Sequence, residues 1–127
     1  MSKKIDTNAA LALLTGKTFR DKATEVRPGI RPGRWVMDLH GNTIAHVTPE
    51  KMTLTLCGWN TVTTRNRLNA ILAMRDSPCR FAQRKGRAVL LDGAGNVDTV
   101  ISADAIVHLH RGDGELVTVE EPRLTYA

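Results

Sequence analysis

The chain has 127 residues, 42% of them hydrophobic, enough for a single domain to bury a core without metal or disulfide staples. Aromatics make up only 4%, so Leu, Ile, Val, Ala and Met must fill that core, and the +5 net charge with a pI near 9.7 favours a polyanionic partner. Cys57 and Cys79 form neither a C-x-x-C pair nor part of a four-ligand zinc pattern, which predicts reduced thiols and no structural metal.

Lys3 and Lys4 precede an apolar patch too short for a signal sequence or a membrane span, so the expectation is a soluble, unexported protein. A single domain over 1–127 is predicted, with 1–7 and 120–127 as loose ends. Asp6 or Thr7 can cap a short helix over "NAALALL", which Gly16 ends. Two Pro-Gly pairs between Lys17 and Gly33 mark turns, and only "TEVR" there reads as a strand.

From Arg34 the hydrophobic period becomes two: Trp35, Met37 and Leu39 share one face, and Val36, Asp38 and His40 the other. Gly41-Asn42 reads as a two-residue turn into "TIAHV", and "MTLTLC" follows as a third strand with Met52, Leu54 and Leu56 inward. Thr63 or Thr64 can cap a helix to Met74 whose buried stripe is Leu68, Ile71 and Leu72, with Asp76, Ser77 and Pro78 beyond it. "CRFAQR", a Lys85-Gly86 turn and "RAVLLD" make a second hairpin, and "GAGN" turns into "VDTVI". The tail "AIVHLHRGDGELVTV" reads as a last hairpin bent at Asp113-Gly114.

The candidate site is the junction "CGWNTVTTRNRLNAIL", residues 57–72. Helical spacing puts Arg65 and Arg67 on the two flanks of the buried stripe, with Asn66 and Asn69 pointing away. Basic residues in a first turn oppose the helix dipole, so an anion near the cap would explain them: Thr63, Thr64, Arg65 and Arg67 form a candidate phosphate or carboxylate cradle. Arg80, Arg84 and Lys85 extend a basic centre that can track a nucleic-acid backbone, with Trp59 or Phe81 as a stacking platform and Trp59 and Asn60 as partner anchors. The competing reading is a capped helix with Trp59 in the core and solvated arginines.

Other motifs carry less. "TGKT" at 15–18 lacks the glycine that a P-loop requires, since Leu11 stands there. His108 and His110 share a strand face and, with His40 or His46, lack the acids or thiols of a metal site. "RGD" at 111–113 falls at a hairpin tip, and no spacing supports a catalytic group or a cofactor.

In order and spacing, "GNTIA", "GWNTVTTRNRLNAIL" and "FAQRKGRAVLLD" resemble a family of small bacteriophage-encoded proteins over roughly residues 8–102, in which Thr24-Glu25-Val26 also finds a counterpart. The chain departs from that pattern in the Pro-Gly-rich stretch 28–33, in the less aromatic "RKGRAVLL" and in the tail after 108. The resemblance implies a phage origin and action in the cytoplasm of an infected bacterium, and brings no activity with it.

The fold expected is α+β: an antiparallel sheet of five to seven strands built from hairpins, one helix packed on a face, a short N-terminal helix and a central β-β-β-α-β-β order. The function expected is a non-enzymatic accessory module whose basic patch contacts nucleic acid. The alternatives are a protein-binding module that modulates a host enzyme or anti-phage defence factor through Trp59 and the 28–33 loop, and a nucleotide or small-ligand binder.

Overall fold

A computed structural model of the chain describes residues 2–110 and 116–121. In chain order they form α1 (Ser2–Thr15), β1 (Phe19–Asp21), β2 (Thr24–Pro28), β3 (Trp35–Leu39), β4 (Asn42–Val47) and β5 (Lys51–Thr55). Then come α2 (Val62–Met74), β6 (Arg80–Arg84), β7 (Arg87–Leu91), β8 (Val97–Val100), β9 (Ile106–His110) and β10 (Leu116–Glu120). The strands make a seven-stranded antiparallel sheet, β1-β2-β3-β4-β5-β9-β10, and a separate three-stranded sheet, β6-β7-β8. This is the expected α+β class with its β-β-β-α-β-β centre, except that the strands divide between two sheets.

Alternation builds the large sheet. Val26, Met37, Ala45, Leu54 and Val107 lie in one cross-strand row, each at most 1% exposed, and join Leu68, Ile71 and Leu72 of α2 and Ala9, Ala10 and Leu13 of α1 in one core. Each fully buried Leu, Ile or Met contributes roughly 1.5–3 kcal/mol. The opposite face of the sheet carries a polar row across Arg27, Val36, His46, Thr53, His108 and Thr118. Between Met37 and Asp38 the β3–β4 register shifts, leaving Ile44 as an extra residue on β4, so the adjacent Ile44 and Ala45 are both buried where strict alternation would expose one.

α1 begins earlier than its cap signals indicate. Residues 2–7, expected as a loose end, are helical from Ser2, and Asp6 lies on the buried face at the spacing of Ala9, Ala10 and Leu13 instead of capping. Its end is as expected: Gly16 takes φ +70°, and a Cβ there would stand 3.1 Å from Nε1 of Trp35, whose indole closes the helix end. The β3–β4 turn falls one residue before its expected place, at His40 and Gly41, whose φ values of 51° and 80° fit a type I′ hairpin. The Lys85-Gly86 turn is where the sequence puts it.

Thr61, not Thr63 or Thr64, caps α2: its backbone is extended and its Oγ1 accepts from the Thr64 amide at 3.2 Å. The other end closes through Asp76 at φ 57°, where the Ser77 amide donates to Leu72 and the Asp76 amide to Ala73. The tail hairpin pairs β9 with β10, its bend and RGD motif lie outside the described residues, and so does the end beyond Glu121. No helix among the described residues is long and apolar enough to cross a membrane.

Candidate nucleic-acid interface

The loop that leads into α2 is rigid. Cys57 and Gly58 both take positive φ, the Gly58 amide donates to the Ala103 carbonyl, the Trp59 amide to Leu56 and the Thr61 amide to Trp59. This stitched backbone holds Trp59 outward with 60% of its surface exposed, which rules out the core-plug reading. Beneath it lies a hollow of about 420 Å³ with Leu39, Ile44 and Leu56 as apolar lining and His40, Asn42, Thr61 and Thr63 as polar lining.

Arg65 connects this loop to the small sheet. Its Nη1 donates to Oδ1 of Asn60 at 2.5 Å and to Oε1 of Gln83 at 3.2 Å, so the outer end of β6 is held beside the start of α2. Beyond Gln83, Arg84, Lys85 and Arg87 form an exposed hairpin tip, with Arg84 directly paired to Arg87 across the strands. Arg84 donates to the Gln83 carbonyl at 3.0 Å, and none of the three cations forms an ion pair among the described residues.

The remaining candidates separate. Thr64 is buried and its hydroxyl lies 2.9 Å from that of Thr61. The Thr64 and Arg65 amides are both engaged by Thr61, one by its hydroxyl and one by its carbonyl at 3.0 Å, which leaves little of the expected amide cradle open to an anion. Arg67 does not reach past the core edge: it is 6% exposed, ion-paired to Asp6 and bonded through Nε to the Thr24 hydroxyl at 3.0 Å. Arg80 bonds the Ser77 and Cys79 carbonyls at 2.5 and 2.6 Å, at the end of β6 away from the tip.

Asn69 does not point away from the core either. Its Oδ1 accepts from the Phe81 amide at 2.7 Å and its Nδ2 donates to the Phe81 carbonyl at 2.9 Å, clamping α2 to β6, and Phe81 itself is 3% exposed and unable to stack on a base. What survives as a surface is Trp59, Asn60, Thr63, Arg65, Arg84 and Lys85, with Arg87 added by its pairing. The sequence signal for Arg87 is its place directly after the Lys85-Gly86 turn, where a two-residue hairpin loop sets it opposite Arg84.

The histidines of the tail stay apart from any metal set. His108 and His110 stack with ring centres 5.9 Å apart, His108 Nε2 lies 2.9 Å from Glu120, and the described residues hold no group of three or more metal-ligating side chains.

No curated protein and no solved structure matches the chain. One family model does, over residues 2–110, and its description is the Kyanoviridae Gp96 protein. The bacteriophage resemblance seen in the sequence therefore holds at the level of the family, and the chain belongs to the Kyanoviridae Gp96 protein family of phage proteins.

Proposed function

We propose that this phage protein is a non-enzymatic accessory module that contacts nucleic acid with the end of the molecule where Trp59 and the β6–β7 tip meet. The observation that carries the reading is the pair of hydrogen bonds from Arg65 to Asn60 and Gln83, which holds three exposed cations, Arg84, Lys85 and Arg87, against the loop that displays Trp59. The cations neutralise backbone phosphates and release counterions, and the indole offers a stacking face to a base. Because the Trp59 loop is fixed by its own backbone bonds, little ordering cost opposes binding. In this reading the partner is met in the cytoplasm of the infected bacterium.

The test is affinity for single- and double-stranded oligonucleotides across a salt series. Binding should be micromolar at low salt and weaken steeply, and an R84Q/K85Q/R87Q variant should flatten the log–log salt slope by about two to three, near 0.9 for each lost phosphate contact. No binding at low ionic strength overturns the reading.

One observation favours a second reading, a protein partner such as a host enzyme or defence factor. Ile30 stands fully exposed at the tip of the β2–β3 loop, and Trp59 and Val62 expose 60% and 62% of their surfaces, the kind of apolar anchors that interfaces bury. Under that reading Trp59→Ala abolishes capture of the partner while the charge variant leaves it intact.

A further inference from the structure

The β2–β3 connection places Arg27, Arg31 and Arg34 around two Pro-Gly pairs, and the loop is closed on itself by the Gly29 amide donating to the Arg34 carbonyl at 2.7 Å. A Cβ at Gly29 would stand 2.9 Å from Cβ of Arg34, so only glycine lets the loop fold back this tightly. The result is a hollow of about 490 Å³ walled by the three arginines and Ile30, with Val36, Thr43 and His46 from β3 and β4 also lining it.

Positive charge in this hollow exceeds what the protein neutralises. Asp38 neutralises Arg27, and both its oxygens are engaged, Oδ2 by Arg27 Nε at 3.0 Å and Oδ1 by the Thr43 hydroxyl at 2.6 Å. Arg31 and Arg34 have no carboxylate partner among the described residues. His46 registers the imbalance: burial first, then the charges of Arg34 and of Lys51 on β5, lower its pKa below the ordinary histidine value.

We propose that this hollow is an anion site that takes a phosphoryl group, distinct from the Trp59 end and independent of the function proposed for that end. Guanidinium forks match phosphoryl oxygens two at a time, and with Arg27 already paired to Asp38 the other two guanidiniums, Arg31 and Arg34, suit a divalent oxyanion better than a single carboxylate, which would leave one of them uncompensated. The phosphoryl group can belong to a small phosphate or to a nucleic-acid backbone, and both present the same chemistry to the arginines.

The experiment follows the His46 ring by NMR pH titration of the full chain, alone, with sodium pyrophosphate, with a short single-stranded oligonucleotide, and with sodium chloride at matched ionic strength. A bound phosphoryl group raises the His46 pKa by about one unit, as a new opposite charge within a few ångströms does, while chloride produces only the smaller shift of screening.

In R31Q/R34Q the ligand-induced shift disappears and pyrophosphate binds at least tenfold more weakly, the loss of one or more charge-assisted bonds. Running the oligonucleotide arm on R84Q/K85Q/R87Q separates the two sites: a shift there identifies backbone phosphate as a ligand of this hollow, and a shift with pyrophosphate alone identifies a small phosphate. If no ligand moves His46 beyond chloride, or if R31Q/R34Q responds as the unmodified protein does, the proposal is wrong.

Discussion

The guanidinium of Arg67 and the carboxylate of Asp6 form an ion pair buried between α2 and α1, with side-chain exposures of 7% and 9%, and the Thr24 hydroxyl of β2 accepts from the Nε–H. Three elements thus meet on one charged group. Removing one partner strands the other charge in the core, so Arg67→Gln or Asp6→Asn should each lower stability by about 3–5 kcal/mol, seen as a large fall in the denaturant midpoint. The double variant D6L/R67M, apolar and of similar volume, should recover most of that loss. Equal destabilisation in the double variant would show that specific bonding, not stranded charge, sets the cost.

Asn69 supplies a second joint. Its amide meets the Phe81 amide and carbonyl together, as a neighbouring strand would, so Asn69→Ala leaves both backbone groups of a 3%-exposed residue without their partner. A cost of about 1–3 kcal/mol is expected, with hydrogen exchange accelerating first along β6. Exchange that rises evenly through the whole protein would place the clamp in the global fold instead.

The cap of α2 can be located by two alanines. Thr61→Ala removes the side-chain oxygen that accepts from the Thr64 amide and should cost about 1 kcal/mol. Thr63→Ala, at an exposed position inside the first turn, should stay within about 0.5 kcal/mol. The reverse order in thermal melts would restore the cap to Thr63.

Much of this fold was legible because it is local. The alternation of Met52, Leu54 and Leu56 against Thr53 and Thr55 needs no partner to be read, and the Lys85-Gly86 pair states its own turn chemistry. The site was legible only in part. Arg65 and Arg67 are two positions apart and look alike in sequence, but one bridges two surface amides and the other is buried against an acid 61 residues away, a partner that no helical spacing reveals. Asp6 was misread for the same reason: an acid near a helix start signals a cap unless a distant arginine needs it. The division of the strands between two sheets follows from α2 and β6 packing together, which is a tertiary fact.

Trp59 gives a prediction of the opposite kind. With 60% of its surface exposed, Trp59→Ala should leave the melting temperature near that of the unmodified protein, within about 1 kcal/mol of stability. Oligonucleotide affinity should fall by about tenfold, since stacking contributes roughly 1–3 kcal/mol per base. A stable variant that binds normally would remove the indole from the interface.

His46 makes stability depend on pH in a defined direction. Burial, Arg34 and Lys51 place its folded pKa below the ordinary 6.5, so the neutral ring is favoured in the fold and protonation is favoured in the unfolded chain. Its contribution is therefore fully present above 6.5 and is lost as pH falls from there through the folded value. Compared with the unmodified protein, His46→Gln should show a shallower loss of melting temperature across that window, which cancels the common effect of the other histidines. Identical slopes would mean that the ring is as easily protonated in the fold as outside it.

The Asp6–Arg67 pair also sets an order of events during synthesis. Asp6 leaves the ribosome 61 residues before the arginine that answers it, and the face of α1 formed by Ala9, Ala10 and Leu13 is completed only when α2 follows. The β2–β3–β4–β5 meander lies between the two, so it can zip up while α1 still rests on one side of it with a bare carboxylate. α1 is thus early in sequence and late in commitment, and the nascent chain carries a helix with an unanswered carboxylate until residue 67 has cleared the exit tunnel.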